Sequence, residues 1–111
     1  MGQSYMSCFE LILFFRKGKH KKINDWGTPD ILKYPNIKLK DENGENLHPT
    51  EKPVDLMKKL VENSSNEGDL VIDPFVEIGA VPIACKELNR RFGGYEIDEK
   101  YFNTTKLRLE K

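Results

Sequence analysis

The chain has 111 residues, of which 38% are hydrophobic and 32% are charged, and its 18 basic residues balance 18 acidic ones. This length allows one small domain, and zero net charge gives no overall attraction to nucleic acid. No apolar run approaches the roughly 20 residues of a membrane span, and no secretory signal is recognisable. Cys8 and Cys85 lack paired spacing, which predicts buried thiols in a cytoplasmic, reducing compartment. Secreted, membrane-spanning and zinc-finger classes are therefore excluded.

The first part of the chain, residues 1–47, is predicted to hold one strand and a long loop. Residues 8–15 form an almost wholly apolar run, which favours a buried strand. Residues 19–46 are polar and contain prolines and an Asn-Gly turn signal, so only short turns or strands are expected there, at 31–32 and 37–39. A loop this long is expected either to pack on a surface or to be mobile.

The second part, residues 48–111, alternates helices and strands within the same single domain. A helix is predicted after Pro53, since apolar residues follow at helical spacing up to the polar stretch 63–66. A strand at 70–72, a helix with Pro82 in its first turn and a strand at 92–97 come next. Asp98 is a good N-cap for a last helix. The predicted inner face of that helix consists of Tyr101, Phe102, Thr105 and Leu109.

This order of elements, with short links, predicts a parallel strand pair and an α/β fold. The first strand runs into the turn Asp73-Pro74-Phe75-Val76-Glu77-Ile78-Gly79, and Glu96 stands at the end of the second strand. In open α/β sheets ligands bind at this edge, where a glycine-containing turn approaches the ligand and an acid binds ribose hydroxyls. An ordinary turn with a solvated glutamate is the alternative interpretation of this spacing taken alone.

Three motifs together resemble those of one enzyme family. They are His48-Pro49-Thr50-Glu51-Lys52-Pro53, Asp73-Pro74-Phe75 and Gly94-Tyr95-Glu96-Ile97-Asp98. Their order is similar to that in S-adenosylmethionine-dependent DNA N6-adenine and N4-cytosine methyltransferases, in the subclass whose catalytic motifs precede the cofactor motifs. The resemblance covers nearly the whole chain. It implies an incomplete Rossmann-like methyltransferase fold with three layers and a mostly parallel sheet.

The resemblance also implies a cofactor, S-adenosylmethionine, and roles for particular residues. Thr50 and Lys52 would face the cofactor carboxylate, and Asp73 and Phe75 would lie near its methionine and adenosine parts. Glu96 would bind the ribose. The cofactor-binding residues that this implies are Thr50, Lys52, Asp73, Phe75, Gly79 and Glu96.

The cofactor loop departs from the family's Asp-Pro-Phe-x-Gly-Ser-Gly, because Glu77 and Ile78 replace its first glycine and its serine. A glycine there supplies unusual dihedral angles and leaves room for the ligand. Glu77 adds a negative charge near the cofactor carboxylate, and two such charges ~4 Å apart repel by ~1 kcal/mol in water and ~4 kcal/mol at a dielectric constant of 20. Ile78 removes a hydroxyl. We expect cofactor affinity to fall at least about tenfold. Gly93, where the family has a bulky apolar residue, is expected to weaken its strand.

The family's catalytic tetrapeptide, an Asp, Asn or Ser followed by Pro-Pro and an aromatic residue, does not occur in the 111 residues. In the family it grips the target amine and a flipped-out base. The chain is therefore expected to be the rear part of such an enzyme and to lack catalytic activity alone. Without the catalytic strand, the strand at 70–72 would have an open apolar edge, which predicts association with a second copy or another chain. Residues 8–15 could instead fill part of the gap.

A short basic run is the remaining signal. Five basic residues lie within residues 16–22, and such a run can neutralise nucleic-acid phosphates, those of DNA in particular. They are Arg16, Lys17, Lys19, Lys21 and Lys22. A solvated loop is the alternative. Trp26 and Tyr34 could stack on bases, or they could pack against the sheet. Neither histidine has a partner at metal-ligand spacing, so no metal site is predicted.

Two functions follow from these observations. The first is a degenerate DNA methyltransferase-like module that acts by binding a protein or nucleic-acid partner, for example as a phage-type inhibitor of a host nuclease defence. The alternative is the cofactor-binding half of a split methyltransferase. Glu77 and Ile78 favour the first, because a split enzyme needs an open cofactor loop. A decayed fragment without a function of its own is the third interpretation.

Overall fold

A computed structural model describes residues 5–6, 8–19, 21–35, 40–45 and 51–111. The helices and strands of this described part all lie between residues 54 and 109. In chain order they are α1 Val54–Ser64, β1 Leu70–Asp73, α2 Ala80–Glu87, β2 Arg91–Gly94 and α3 Glu99–Leu109. None of the described helices is long and apolar enough to cross a membrane.

The two strands form a parallel sheet, as their order with α2 between them predicts. Leu70 pairs with Arg91 and Asp73 pairs with Gly94. The predicted second strand, 92–97, is wrong at its end, because β2 stops at Gly94. Beyond β2, the Tyr95 amide still donates to the Asp73 carbonyl at 3.1 Å. The Tyr95 carbonyl, however, accepts from the amide of Val76, which lies in the loop after β1.

The helices begin where the sequence predicts. α1 follows Pro53, and α2 contains Pro82 in its first turn, where a missing N–H is tolerated. α3 follows Asp98, whose carboxylate accepts from the Tyr101 amide at 3.1 Å. The prediction that Phe102 faces inward is wrong, since it is 45% exposed, whereas Thr105 is buried.

A small core joins α1 to the sheet. Val61 of α1, Ala84 and Cys85 of α2 form its centre, and Val71 and Phe92 pack against it from the two strands. The prediction of a buried thiol is confirmed for Cys85, which has no exposed surface. Burial raises the pKa of this thiol above its usual value.

The predicted buried strand at 8–15 is wrong. These residues have no strand structure, and their side chains are exposed, Leu11 by 83% and Phe15 by 80%. Cys8 is exposed too, which contradicts its predicted burial. The physical reason is that no described strand pairs with this segment, so its apolar side chains have no sheet to cover them. The predicted element at 31–32 is only a bend at Ile31, and 37–39 lies outside the described residues.

Candidate functional site

The loop between β1 and α2, residues 74–79, lies at the carboxyl end of the sheet. The Asp73 carboxylate accepts from the Phe75 amide at 2.9 Å, which closes a tight turn directly after the strand. The Val76 amide then donates to the Tyr95 carbonyl at 3.0 Å, and the Gly79 amide donates to the Val76 carbonyl at 3.0 Å. The loop is therefore joined on one side to the chain that leaves β2.

Two loop residues have left-handed backbone conformations, Glu77 with φ of 55° and Gly79 with φ of 96°. Glycine adopts such angles freely, whereas other residues do so at a cost. The family resemblance implies a glycine at position 77, and the left-handed backbone conformation found there is one that favours glycine. At Gly79 a side chain also lacks space, because a Cβ atom would lie 2.8 Å from Cγ2 of Thr105.

Glu96 lies two residues beyond the end of β2, and its carboxylate contacts the loop. One oxygen of its carboxylate accepts from the Glu77 amide at 2.7 Å, and the other accepts from the Asp98 amide at 2.9 Å. The structure therefore brings the predicted ribose-binding acid and the cofactor loop into direct contact. A carboxylate has about four lone-pair sites, so each oxygen can still accept one more hydrogen bond.

The remaining predicted cofactor residues are placed less closely together. Phe75 projects from the loop and is 78% exposed. Lys52 bonds to both carboxylate oxygens of Glu10, at 3.1 and 2.9 Å, so its charge is already compensated in this arrangement. Thr50 lies outside the described residues, as do His20 and His48. Among the described side chains, no group of three or more acids, cysteines and histidines could hold a metal ion.

The two substituted loop residues differ in where their side chains lie. Ile78 is 1% exposed and belongs to the protein interior, whereas Glu77 is half-buried at the loop surface. Of the two changes, Glu77 is therefore the one that can act on a bound ligand.

Sequence reasoning missed the part that α3 plays in this site. The Thr105 hydroxyl donates to the Glu77 carbonyl at 3.0 Å, and the Arg108 guanidinium donates to the Ile78 carbonyl. Burial lowers the pKa of Arg108, while Glu51, which is 5% exposed, opposes that shift electrostatically. The sequence signals are that Thr105 belongs to the predicted inner face of this helix and that Arg108 lies three residues further on, on the same face.

The basic run is exposed, as both of its interpretations require. Its five predicted nucleic-acid residues, Arg16, Lys17, Lys19, Lys21 and Lys22, line one hollow beside the last residues of α1. The interpretation of Trp26 as packed against the sheet is wrong, since its ring is 72% exposed. Tyr34 is half-buried.

Comparisons with known proteins show the family to which the chain belongs. A family model described as DNA methylase, of the N6/N4 type, matches residues 2–107. Type II methyltransferase M2.DpnII of Streptococcus pneumoniae is 33% identical, over 91% of this chain and 42% of its own length. M2.LlaDCHI of Lactococcus lactis subsp. cremoris is 33% identical, over 93% of this chain and 35% of its own. M.HpaI of Haemophilus parainfluenzae is 46% identical over 63 residues, which are 57% of this chain and 20% of the relative.

The fold also has a solved counterpart. The crystal structure of an M1.HpyAVI–SAM complex is 38% identical, with a TM-score of 0.58 over 80% of this chain and 43% of that one. This agreement confirms the prediction of a partial Rossmann-like methyltransferase fold. The chain spans less than half the length of each of these relatives. With the family model covering nearly every residue, the chain belongs to the N6/N4 DNA methylase family.

Proposed function

We propose that this chain is the cofactor-binding part of an S-adenosylmethionine-dependent DNA amino-methyltransferase, and that methyl transfer needs a partner that carries the catalytic tetrapeptide. The observation that carries this proposal is the contact between Glu96 and the loop amide of Glu77, at 2.7 Å. It supports the proposal because the acid that the resemblance assigns to the ribose contacts the loop that the resemblance assigns to the cofactor, although this loop has a glutamate in place of the glycine.

The nucleoside end of the cofactor fits the residues present. Each oxygen of Glu96 has a remaining acceptor position, and a ribose offers two adjacent hydroxyl donors. Apolar surface for an adenine base is offered by Phe75, which is exposed in the loop that Glu96 contacts, and by Ile97, which is fully exposed and follows Glu96 in the chain. When bound, S-adenosylmethionine supplies the electrophilic methyl group. The chain's own part is to hold and orient the nucleoside.

The amino-acid end fits less well. The amides of Phe75, Val76 and Glu77 already donate to protein acceptors, so they are not presented to a carboxylate. Lys52 is paired with Glu10. The Glu77 carboxylate adds like charge to the same loop, and such repulsion weakens binding. We infer reduced affinity for the complete cofactor and nearly normal recognition of its nucleoside part.

Within the described part of the chain no strand pairs with the far edge of β1, and this supports the partner in this proposal. The Asp69 and Asp73 carbonyls both accept from amides at or after β2, at 2.8 and 3.1 Å. Since alternate residues of a parallel strand bond the same neighbour, the backbone groups of Leu70 and Ile72 face the opposite edge. Their side chains are 51% and 62% exposed. An apolar strand edge of this kind favours pairing with a strand from another chain or from a second copy.

The second candidate function is a methyltransferase-derived module that binds a partner and no cofactor. Glu77 favours it, because its charge and its Cβ atom both stand where the family keeps bare backbone. An inhibitor of a host nuclease defence, of the phage type, is one specific form of such a module and stays a prediction.

Calorimetry with two ligands separates these candidates. S-adenosylmethionine carries the amino-acid end, whereas methylthioadenosine shares its nucleoside and lacks that end. We expect the unmodified chain to bind methylthioadenosine measurably and S-adenosylmethionine weakly. Glu77→Gly should raise affinity for S-adenosylmethionine at least about tenfold and leave methylthioadenosine within about twofold.

Two further variants make this test specific. Glu77→Gln removes the charge but keeps the Cβ atom, so it separates repulsion from lack of space. Glu96→Gln weakens an acceptor that both ligands need and should reduce the affinity of both. If neither ligand binds the unmodified chain or Glu77→Gly, the cofactor proposal fails and the second candidate stands.

A further inference from the structure

A second candidate site is the hollow beside the end of α1, well away from the cofactor loop in the sequence. It has a volume of about 190 Å³ and is lined by the five cations of residues 16–22 together with Phe14, Phe15 and Asn63. All five cations are exposed. The ion pairs found among the described residues involve Lys52, Lys58 and Lys59 and none of these five. Their charge is therefore directed to solvent, although the whole chain is neutral.

The segment that carries these cations is fixed to α1 at its far end. The side-chain amide of Asn24 donates to the carbonyls of Glu62 and Ser65, both at 2.7 Å, and its backbone amide donates to the Asn63 carbonyl at 3.0 Å. These bonds satisfy carbonyls that a helix end otherwise leaves open. Asp25 adds an ion pair with Lys59 at 2.5 Å. The basic run is therefore followed directly by an anchored residue and is not part of a free loop.

Aromatic rings alternate with the cations on this surface. The Lys22 ammonium lies 4.2 Å above the centre of the Trp26 ring, and the Arg16 guanidinium lies 4.8 Å from the centre of the Phe14 ring. Phe15 and Trp26 are 80% and 72% exposed. Cations next to open ring faces are the combination that binds unpaired nucleotides, with phosphates on the cations and bases stacked on the rings.

We infer that this hollow, together with the Trp26 ring that Lys22 contacts, binds a single strand of nucleic acid, through its phosphodiester backbone and through stacking of unpaired bases on Phe15 and Trp26. A duplex offers the same phosphates but keeps its bases stacked on one another, so it satisfies only half of the surface. This site does not require cofactor binding, and it holds or fails independently of the function proposed above.

Trp26 provides a direct measurement, because it is the one tryptophan of the chain. A twelve-nucleotide strand is titrated into the full chain at about 0.1 M salt, and tryptophan fluorescence is followed. We expect quenching, and affinity at least about threefold higher for the strand than for the duplex of the same sequence. Strands of DNA and RNA are titrated in parallel. Binding of either supports the site, and the tighter one identifies its natural source.

Charge-matched variants locate the site. Replacing Lys19, Lys21 and Lys22 by glutamine should lower the slope of log affinity against log salt by about two units, because each phosphate contact adds about 0.7 for single strands. Replacing Lys33, Lys100 and Lys106 removes the same charge from exposed positions elsewhere and should leave the slope unchanged. Phe15→Leu should weaken binding of the strand several-fold and leave binding of the duplex unaltered.

Three results would overturn the inference. They are equal binding of strand and duplex, binding without quenching of Trp26, and equal loss of affinity in the two charge-matched triple variants. Circular dichroism of each variant shows whether the chain stays folded. A variant that unfolds is replaced by the single substitution Lys22→Gln, which removes only the cation above the Trp26 ring.

Discussion

Glu77 stands in a backbone conformation that L-residues with side chains adopt at a cost of about 1–2 kcal/mol. Its φ is 55°, and both polar groups of its backbone are bonded, the amide to Glu96 and the carbonyl to Thr105. The surrounding structure thus imposes the conformation on a residue that does not favour it. Strain of this kind persists only where neighbouring contacts determine the chain path.

Glu77→Gly should therefore stabilise the chain by about 1 kcal/mol, measured by urea unfolding. Asn89→Gly is the matched control, since Asn89 has φ of 61° but asparagine tolerates this region. Its gain should be a few tenths of a kcal/mol. Equal gains for the two variants would show that Glu77 is not strained.

The two cysteines should differ in reactivity. Cys8 is exposed, whereas Cys85 is buried and its pKa is raised by burial. Little thiolate forms at Cys85 at neutral pH, and the thiolate is the reacting species. With iodoacetamide at pH 7.5, mass spectrometry should find Cys8 modified at least about tenfold faster. Similar rates would mean that the core around α2 opens readily.

At the scale of elements, β2 contains two adjacent glycines with opposite tolerance. A Cβ atom at Gly93 would lie 3.9 Å from Cγ1 of Ile72, an ordinary contact. At Gly94 it would lie 2.5 Å from Cγ2 of Val76 and 2.6 Å from the Asp73 carbonyl oxygen. The absence of a side chain at Gly94 thus allows the loop after β1 to pass close to the end of β2. At Gly93, by contrast, there is unfilled space for a methyl group next to Ile72.

Gly93→Ala should raise the free energy of unfolding by about 0.5–1 kcal/mol, because a strand-interior glycine loses more backbone entropy on folding. Gly94→Ala should lower it and should disturb the loop as well. Thermal unfolding of the two variants tests the pair. A loss of stability in Gly93→Ala would contradict the expectation that Gly93 weakens its strand.

The anchor between α1 and residues 24–28 should respond to acid. The hydrogen bond from Lys59 and that from the Gly27 amide lower the pKa of Asp25, and Asp25 raises the pKa of Lys59. A lowered carboxyl pKa contributes stability above its unfolded value, near 4, and this stability is lost as pH falls through the folded pKa. Asp25→Asn should therefore lower the melting temperature at pH 6, and its difference from the unmodified chain should shrink progressively as pH falls below about 4. A difference that stays constant as the pH is lowered would contradict this role.

The elements that sequence could predict are those with local causes. Asp98 caps α3, Pro82 falls in the first turn of α2, and the alternation of strands with α2 fixes the parallel pair. Motif spacing predicts that Glu96 and the loop after β1 meet at one edge of the sheet, where the structure has them in contact. Thr105 and Arg108 reach carbonyls 28 and 30 residues away, and no local pattern announces such bonds. The apolar run 8–15 misled the prediction because burial needs a partner element, which composition cannot supply.

At the scale of the whole molecule, the dominant feature is apolar surface that the described helices and strands leave exposed. Leu11, Phe15 and Ile72 are all more than half exposed, and the first two lie far from β1 in sequence. Large exposed apolar surface of this kind marks sites of association. A neutral chain also lacks the repulsion that keeps copies apart.

We predict that the chain associates in a concentration-dependent way through the β1 edge. Ile72→Lys should shift sedimentation equilibrium toward the monomer, since charges on an edge strand oppose pairing. Leu107→Lys on α3 is the control, because Leu107 is 63% exposed and Ile72 is 62% exposed. A monomer at every concentration, or an equal effect of both substitutions, would remove the edge from the proposed function.

The hydrogen bonds from α3 to the loop have a practical consequence for the design of truncated variants. Thr105 and Arg108 lie in the second half of α3 and hold the backbone carbonyls of residues 77 and 78. A deletion that removes the last two turns of α3 would free those carbonyls and let the Glu77 backbone relax. Stepwise truncation within α3 would therefore change the ligand loop from a distance.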